Sequence, residues 1–227
     1  MKRIFFLCVL VLLCLRFFGC TKQSAPAPES APSPPAGVQS TRSLPKIVAF
    51  GDSLTAGLGL SPQETYPALL RERLKQDGYD YEVVNSGVSG DTSAGGVRRI
   101  DWALDGGVRF LILELGANDF LRGQPVAETK KNLGEIIDRA RSKNAGVLLA
   151  GMLAPTNTGR EYEQQIRNMF TDLAREKGVT LIPFFLEDVA GVDALNQQDN
   201  IHPNPAGTKI VAETVYKYLK PMLDEGR

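Results

Sequence analysis

A single histidine, His202, stands among 227 residues, so any chemistry that needs an imidazole has one place to find it. All three cysteines, Cys8, Cys14 and Cys20, fall in the first twenty residues. The rest of the chain can therefore form no disulfide, thiolate metal site, iron–sulfur cluster or cysteine nucleophile. A serine hydroxyl attacks well only where a base accepts its proton, and neutral imidazole, with a free-group pKa of about 6.5, suits that task. Asp199 lies three positions before His202. In a turn it is close enough to accept one ring N–H, fix the tautomer and steady the imidazolium. Ser53, in Gly51-Asp52-Ser53-Leu54, is the candidate hydroxyl. Taken alone, Ser53 reads equally as a helix N-cap, Asn118-Asp119 as turn chemistry, and a lone histidine as a surface or core residue.

Other chemistries find less support. A metal site would have to gather Asp52, Asp119, Asp199 and His202. One histidine and no nearby cysteine fit zinc poorly, so no metal is expected. Neither G-x-x-x-x-G-K-[ST] nor G-x-G-x-x-G occurs, and the reaction is expected to need no cofactor. The 26 Lys+Arg and 26 Asp+Glu cancel to a formal charge of zero. Lys2, Arg3 and Arg16 have no acidic neighbours in the first 19 residues, so a chain starting at Cys20 carries −3. That leaves no field to hold a polyanion, and no nucleic acid partner is expected.

The elements that must position these residues are legible as short, mostly apolar and β-branched runs: 46–50, 81–84, 108–113, 147–150 and 179–182 read as buried strands. Helical spacing appears in Tyr66 to Gln76, Leu133/Ile136/Ile137/Ala140, Ile166/Met169/Phe170/Leu173 and Ile210/Val211/Thr214/Val215/Tyr218. Gly78, Gly146 and Gly178 stand where the C-caps of the first three belong. The alternation predicts an α/β fold, a three-layer α/β/α sandwich on a five-stranded parallel sheet in the flavodoxin-like order 2-1-3-4-5. Ligands bind such sheets outside the carboxyl ends of the strands, at the point where strand order reverses. The loops after the first three strands carry Ser53, Gly90 and Asn118, which the order 2-1-3 brings to one corner. His202 reaches that corner because the stretch from Pro183 to Ile201 is long enough to return over the sheet.

Gly51-Asp52-Ser53-Leu54, Gly87/Gly90, Gly116-x-Asn118-Asp119 and Asp199-x-x-His202-Pro203 together resemble the SGNH hydrolase (GDSL esterase/lipase) superfamily, over about residues 46 to 220. The stretches 84–93, 114–123, 183–186 and 199–204 are similar to its thioesterase I/lysophospholipase/arylesterase branch, with Ala117 where that branch often has glycine. The resemblance implies Ser53 as nucleophile, His202 as general base and Asp199 as its orienting partner. It implies the Ser53 amide, the Gly90 amide and the Asn118 side chain as an oxyanion hole, with Gly87 a neighbouring candidate. Asp52, Asp91 and Asp119 are expected to cap and orient the loops. The segments 120–125 and 152–162 are expected to border the acyl groove.

The implied activity is a serine esterase acting through an acyl-enzyme on aryl esters, acyl thioesters or lysophospholipids. The partner is then a small acyl ester or lysolipid. A carbohydrate O-deacetylase would use the same groups with a smaller acyl pocket. A non-catalytic binding lipoprotein could keep the fold, but it would have no need of serine, imidazole and carboxylate together. Neither spacing nor resemblance fixes the oligomeric state.

The N-terminus points to export. Lys2 and Arg3 precede an apolar run of twelve residues, Ile4 to Leu15, too short for the about 20 that cross a bilayer, so residues 1–19 read as a signal peptide. Phe17-Phe18-Gly19-Cys20 resembles the lipobox of bacterial lipoproteins, which implies lipidation of Cys20 and a membrane anchor. Thr21 in place of aspartate points to the outer membrane, facing the periplasm. An ordinary signal peptide and a soluble periplasmic or secreted protein remain the alternative. Residues 20–43, with five prolines, have almost nothing to bury and read as a solvated tether to a domain at 44–227.

Overall fold

The apolar stretch that follows Lys46 cannot stay in water, and in the computed structural model it forms β1 (Lys46–Gly51), buried at every position after the first. The structure describes residues 43–153 and 158–225, so residues 1–19, Cys20 and all of the tether but Ser43 lie outside the described residues. The chain continues through α1 (Ser53–Ala56), α2 (Tyr66–Gln76), β2 (Glu82–Gly87), α3 (Ser93–Ala103), β3 (Val108–Glu114) and α4 (Ala117–Leu121). There follow α5 (Val126–Ser142), β4 (Gly146–Ala150), α6 (Arg160–Lys177), β5 (Thr180–Ile182), a 3-10 turn at Asp193–Leu195 and α7 (Pro205–Glu225).

The five strands make one parallel sheet in the order β2-β1-β3-β4-β5. β1 lies between β2 and β3, with Gly51 in register with both Gly87 and Glu114. All three chain exits therefore open on one edge. Helices cover both faces in three layers: α2 packs with α7, α3 with α5, and α5 with α6. Ile47, Phe50, Leu70, Leu111, Ile112 and Ile136 are fully buried between the layers. Each such side chain contributes about 1.5–3 kcal/mol relative to leaving it exposed.

Three details depart from the sequence reading. β2 is only half-buried because it is an edge strand, with Ser86 its single buried residue. α5 stops before Asn144, which takes a left-handed conformation at φ 61°, while Gly146 opens β4. A Cβ at Gly146 would stand 2.8 Å from Phe110 Cδ1, so packing against β3 is what requires glycine there. α3 was not foreseen. Gly95 and Gly96 spoil its helical propensity, yet they let it approach closely: a Cβ would meet Asp91 Oδ1 at 1.7 Å from Gly95 and Leu115 Cδ1 at 2.5 Å from Gly96.

Candidate active site

The turn after β1 is tight because Gly51 has no side chain; a Cβ would lie 2.1 Å from Thr55 Oγ1 and 2.3 Å from Glu114 Oε2. Asp52, not Ser53, caps the single-turn helix α1, its Oδ1 accepting from the Leu54 N–H at 3.0 Å. That leaves the Ser53 hydroxyl free of capping duty. Its Oγ lies 2.8 Å from His202 Nε2.

His202 arrives on the long connection after β5. A loop of that length must satisfy its backbone without a sheet, and three polar side chains do so. Asn196 Nδ2 donates to the Val189 and Val192 carbonyls, and Asn204 Nδ2 to those of Ala194 and Asn196. Gln197 Nε2 donates to the Leu58 carbonyl at 2.7 Å, tying the loop to the segment that follows Ser53. His202 Nδ1 then meets Asp199 Oδ2 at 2.6 Å, while Asp199 Oδ1 accepts the N–H groups of Ile201 and His202 at 3.0 Å each. Those backbone donors, with the ring, hold the Asp199 carboxyl down at about 2. It is a fixed anion that leaves the imidazole's Nε2 to face Ser53.

The backbone amides of Ser53 and Gly90 have no hydrogen-bond acceptor among the described residues. Gly90 sits at φ 78° in a turn closed by Asp91 N–H to the Val88 carbonyl at 3.0 Å. Gly87 is different. Its N–H donates to Asn85 Oδ1, and a Cβ there would lie 2.1 Å from the Ala56 nitrogen, so it is a packing glycine. Asn118, on α4 after the left-handed Gly116, donates one Nδ2 hydrogen to Asp52 Oδ2 at 2.9 Å and keeps a second.

The supporting groups were only partly visible in the sequence. Asp119 accepts from the Ser93 N–H and hydroxyl at 2.8 and 2.6 Å, joining α4 to the start of α3. Arg99 pairs with Asp91 and donates to the Ser86 and Gly51 carbonyls. Arg122 donates to the Gly90 carbonyl at 2.8 Å. Glu114, fully buried, accepts from the Asp52 N–H and the Thr55 hydroxyl. Sequence reasoning gives Arg99, Arg122 and Glu114 no role; the one available signal is a carboxylate that ends the apolar run Phe110–Leu113 of β3.

Phe120 and Met152 are buried in the core, Phe120 edge-on to Tyr162 and Phe170, so neither can border a groove. Leu121 beside them is 56% exposed, and residues 154–157 lie outside the described residues. Leu58, Val88 and Ile201 are exposed by about half as well. These four apolar side chains thus adjoin Ser53, Gly90, Asn118 and His202 in the chain. On the inner side of Ser53 and His202, Leu54, Tyr66, Phe185 and Val211 leave a cavity of only about 10 Å³, too small for an acyl chain. Among the described residues, no three His, Cys, Asp or Glu side chains gather as a metal site, and no helix is long and apolar enough to cross a membrane.

A hydroxyl joined to an imidazole, an imidazole joined to a carboxylate, and uncommitted N–H groups nearby can split an acyl bond. Comparison with known proteins agrees. Residues 49–210 match the GDSL-like Lipase/Acylhydrolase family. The chain is 41% identical over 178 residues to Esterase TesA of Pseudomonas aeruginosa, spanning 78% of this chain and 89% of that protein. It is 35% identical over 179 residues to Thioesterase 1/protease 1/lysophospholipase L1 of Escherichia coli, spanning 78% and 85%. Among solved structures, the psychrotrophic esterase EstA from Pseudoalteromonas sp., inhibited by monoethylphosphonate, superposes with a TM-score of 0.75 at 32% identity, covering 79% of this chain and 98% of that one.

Proposed function

Because this chain belongs to the GDSL-like lipase/acylhydrolase family, and so is a serine hydrolase that cleaves ester bonds, we propose that it works through an acyl-enzyme on Ser53. The observation that carries this reading is the hydrogen-bonded line from Ser53 Oγ through His202 to Asp199, 2.8 and 2.6 Å. Ser53 Oγ attacks the acyl carbonyl carbon as His202 Nε2 takes its proton. Negative charge collects on the carbonyl oxygen, where the Ser53 and Gly90 amides and the second Nδ2 hydrogen of Asn118 receive it. As the bond to the leaving group breaks, His202 returns the proton to that group's oxygen or sulfur. Water then repeats the sequence and releases the acid. Asp199 keeps the imidazole in the required tautomer and offsets its charge.

The acyl chain lies on the open side of the site, along Leu58, Val88, Leu121 and Ile201, because the inner side is closed. Aryl esters and lysophospholipids fit this arrangement, and the E. coli relative's name includes lysophospholipase. The chain acts outside the cytoplasm, residues 1–19 being removed and a lipidated Cys20 holding the domain 44–227 to the outer membrane through the tether 20–43.

Ser53→Ala should lose turnover and labelling by a fluorophosphonate while its unfolding curve stays intact. Substantial remaining esterase activity would remove Ser53 as nucleophile. Asn118→Ala should lower kcat by about 10²–10³. Rates on p-nitrophenyl esters of increasing length test the substrate class, since a steep loss beyond acetate favours a carbohydrate O-deacetylase. Incorporation of labelled palmitate, lost in Cys20→Ser, tests the anchor.

A further inference from the structure

Beneath Ser53 lie two carboxyls that the proposed reaction does not consume. Glu114, at the end of β3, is 0% exposed, and Asp52, in the turn after β1, is 1% exposed. Among the described residues, no lysine or arginine pairs with either carboxyl. Two neighbouring carboxylates cannot both stay ionised when buried without a cation, so one must carry a proton. The hydrogen bonds say which.

Asp52 is served wholly by donors: the Leu54 N–H at 3.0 Å on Oδ1 and Asn118 Nδ2 at 2.9 Å on Oδ2. Glu114 Oε2 likewise accepts twice, from the Asp52 N–H at 3.2 Å and the Thr55 hydroxyl at 2.7 Å. Its other oxygen, Oε1, is buried with no partner among the described residues, which makes it the seat for a proton. Directions of donation are then consistent throughout. The Tyr66 hydroxyl donates to Thr55 Oγ1, 3.3 Å away, and Thr55 donates onward to Glu114.

We propose that Glu114 and Asp52 share one negative charge, with the proton on Glu114 and the charge on Asp52, and that Asp52 is the positioning residue that aims Asn118 at the oxyanion. The inference rests on the reading of Asn118 as an oxyanion donor. Because Asp52 only accepts, Asn118 must turn its NH₂, not its carbonyl, toward it, and the second hydrogen of that NH₂ faces the reacting carbonyl. A neutral residue 52 that offered a hydrogen would let the carboxamide flip and set an oxygen against the developing charge.

Burial and the Asp52 charge hold Glu114 well above the usual carboxylate range, and burial raises Asp52 to about 6. The other titratable groups set against the pair are Tyr66 on α2, pushed up by burial and therefore neutral, and His202 on the returning loop, whose charge favours ionised Asp52. Arg99 on α3 reaches the Gly51 carbonyl but is paired with Asp91.

The test uses the full-length protein, with p-nitrophenyl butyrate turnover and fluorophosphonate labelling of wild type establishing first that it is a serine esterase. At pH 8 the infrared spectrum of wild type should contain a protonated-carboxyl stretch that disappears in Glu114→Gln. Absence of that band, or its survival in the variant, overturns the proposal whatever the activity. Asp52→Asn should lower kcat by about 10²–10³ with little change in KM, comparable to losing an oxyanion donor. The acidic limb of its kcat–pH profile should also become less steep than that of wild type, since one titrating group is gone. Glu114→Gln puts an NH₂ where the acid proton stood, and the acidic limb should keep its wild-type position and slope. A loss below tenfold in Asp52→Asn, or a displaced limb in Glu114→Gln, overturns the assignment.

Discussion

Arg99 Nε donates to Asp91 Oδ2 at 2.7 Å, in an ion pair whose side chains are only 20% and 11% exposed. The same guanidinium reaches the Ser86 carbonyl at 2.7 Å and the Gly51 carbonyl at 2.8 Å, and stacks 3.8 Å above the Phe50 ring. One side chain on α3 thus fastens the ends of β1 and β2 and the residue after Gly90. Lysine cannot reproduce a planar fork with separated donors. Arg99→Lys should therefore lower kcat by about tenfold or more. Arg99→Ala, which strands Asp91 in a mostly buried place, should also destabilise by about 2–4 kcal/mol in urea unfolding. If Arg99→Lys keeps wild-type kcat, the loop ends are held by something else.

Gly90 makes a sharper case, because space is not what demands glycine. A Cβ there would lie 3.7 Å from Arg122 Nη2, an ordinary contact. The backbone demands it: φ 78° at the third position of a turn closed by Asp91 N–H to the Val88 carbonyl is type II geometry. An L-residue in that conformation is strained by about 1–2 kcal/mol, and the relief is a type I turn with its middle peptide turned over. That peptide carries the Gly90 N–H. Gly90→Ala should lose about 10² or more in kcat while the protein stays folded. Retention of a tenth of wild-type activity would show that this amide is not a donor to the oxyanion.

Two carboxyls shifted in opposite directions give the protein a pH signature. Asp199 sits at about 2, below its ordinary value of 3.8. Its stabilising contribution is complete above that ordinary value and disappears as pH falls toward 2. Asp52, raised to about 6, acts the other way. Between about 6 and 3.8 the folded protein binds a proton that the unfolded chain does not, so this group adds stability as pH falls from neutral. Urea midpoints should therefore favour wild type over Asp52→Asn more at pH 5 than at pH 8. Activity should fall over the same interval as Asn118 loses its anionic acceptor. A difference between the two proteins that stays constant from pH 5 to 8 would mean that Asp52 does not titrate there.

The strands and their order were readable because each core strand is a mostly apolar run, and because parallel strands place their following loops on one edge. The loops that carry Ser53, Gly90 and Asn118 follow neighbouring strands and so open on that edge, while the loop after β5 is long enough to bring His202 to Ser53. α3 was not, since Gly95 and Gly96 are poor helix formers whose value lies in close approach to Asp91 and Leu115. Asn144 took the left-handed position assigned to Gly146, since either residue tolerates it and only packing against Phe110 decides. Arg99 and Glu114 escaped notice because their partners come from separate strands and turns, which no local pattern reveals. Phe120 and Met152 were placed at a groove because they adjoin it in sequence, whereas alternate directions along the chain send Leu121 outward and Phe120 into the core.

A loop over 20 residues long, from β5 to α7, must deliver an imidazole to a hydroxyl with the accuracy that proton transfer needs. The Gln197 side chain of that loop hydrogen-bonds the segment after Ser53, through Nε2 to the Leu58 carbonyl at 2.7 Å. Its Nε2 also donates to the Pro203 carbonyl at 3.0 Å, and its backbone N–H donates to the His202 carbonyl at 2.8 Å, so His202 and Pro203 are tied to the segment that follows α1. A Cβ at Gly59 would meet Gln197 Oε1 at 2.3 Å, so the approach is close on both sides. Gln197→Ala removes the tie without touching Ser53, His202 or Asp199, and its cost in stability should be about 1 kcal/mol. Its cost in rate should be larger in proportion, about tenfold in kcat, because misplacement by a fraction of an ångström weakens the Ser53–His202 contact. Gln197→Glu, which can keep the space but repels the two carbonyls, should be at least as slow. Fluorophosphonate labelling rates report the same contact without a substrate, and both variants should label more slowly than wild type. Equal labelling rates would show that the loop holds His202 in place without Gln197.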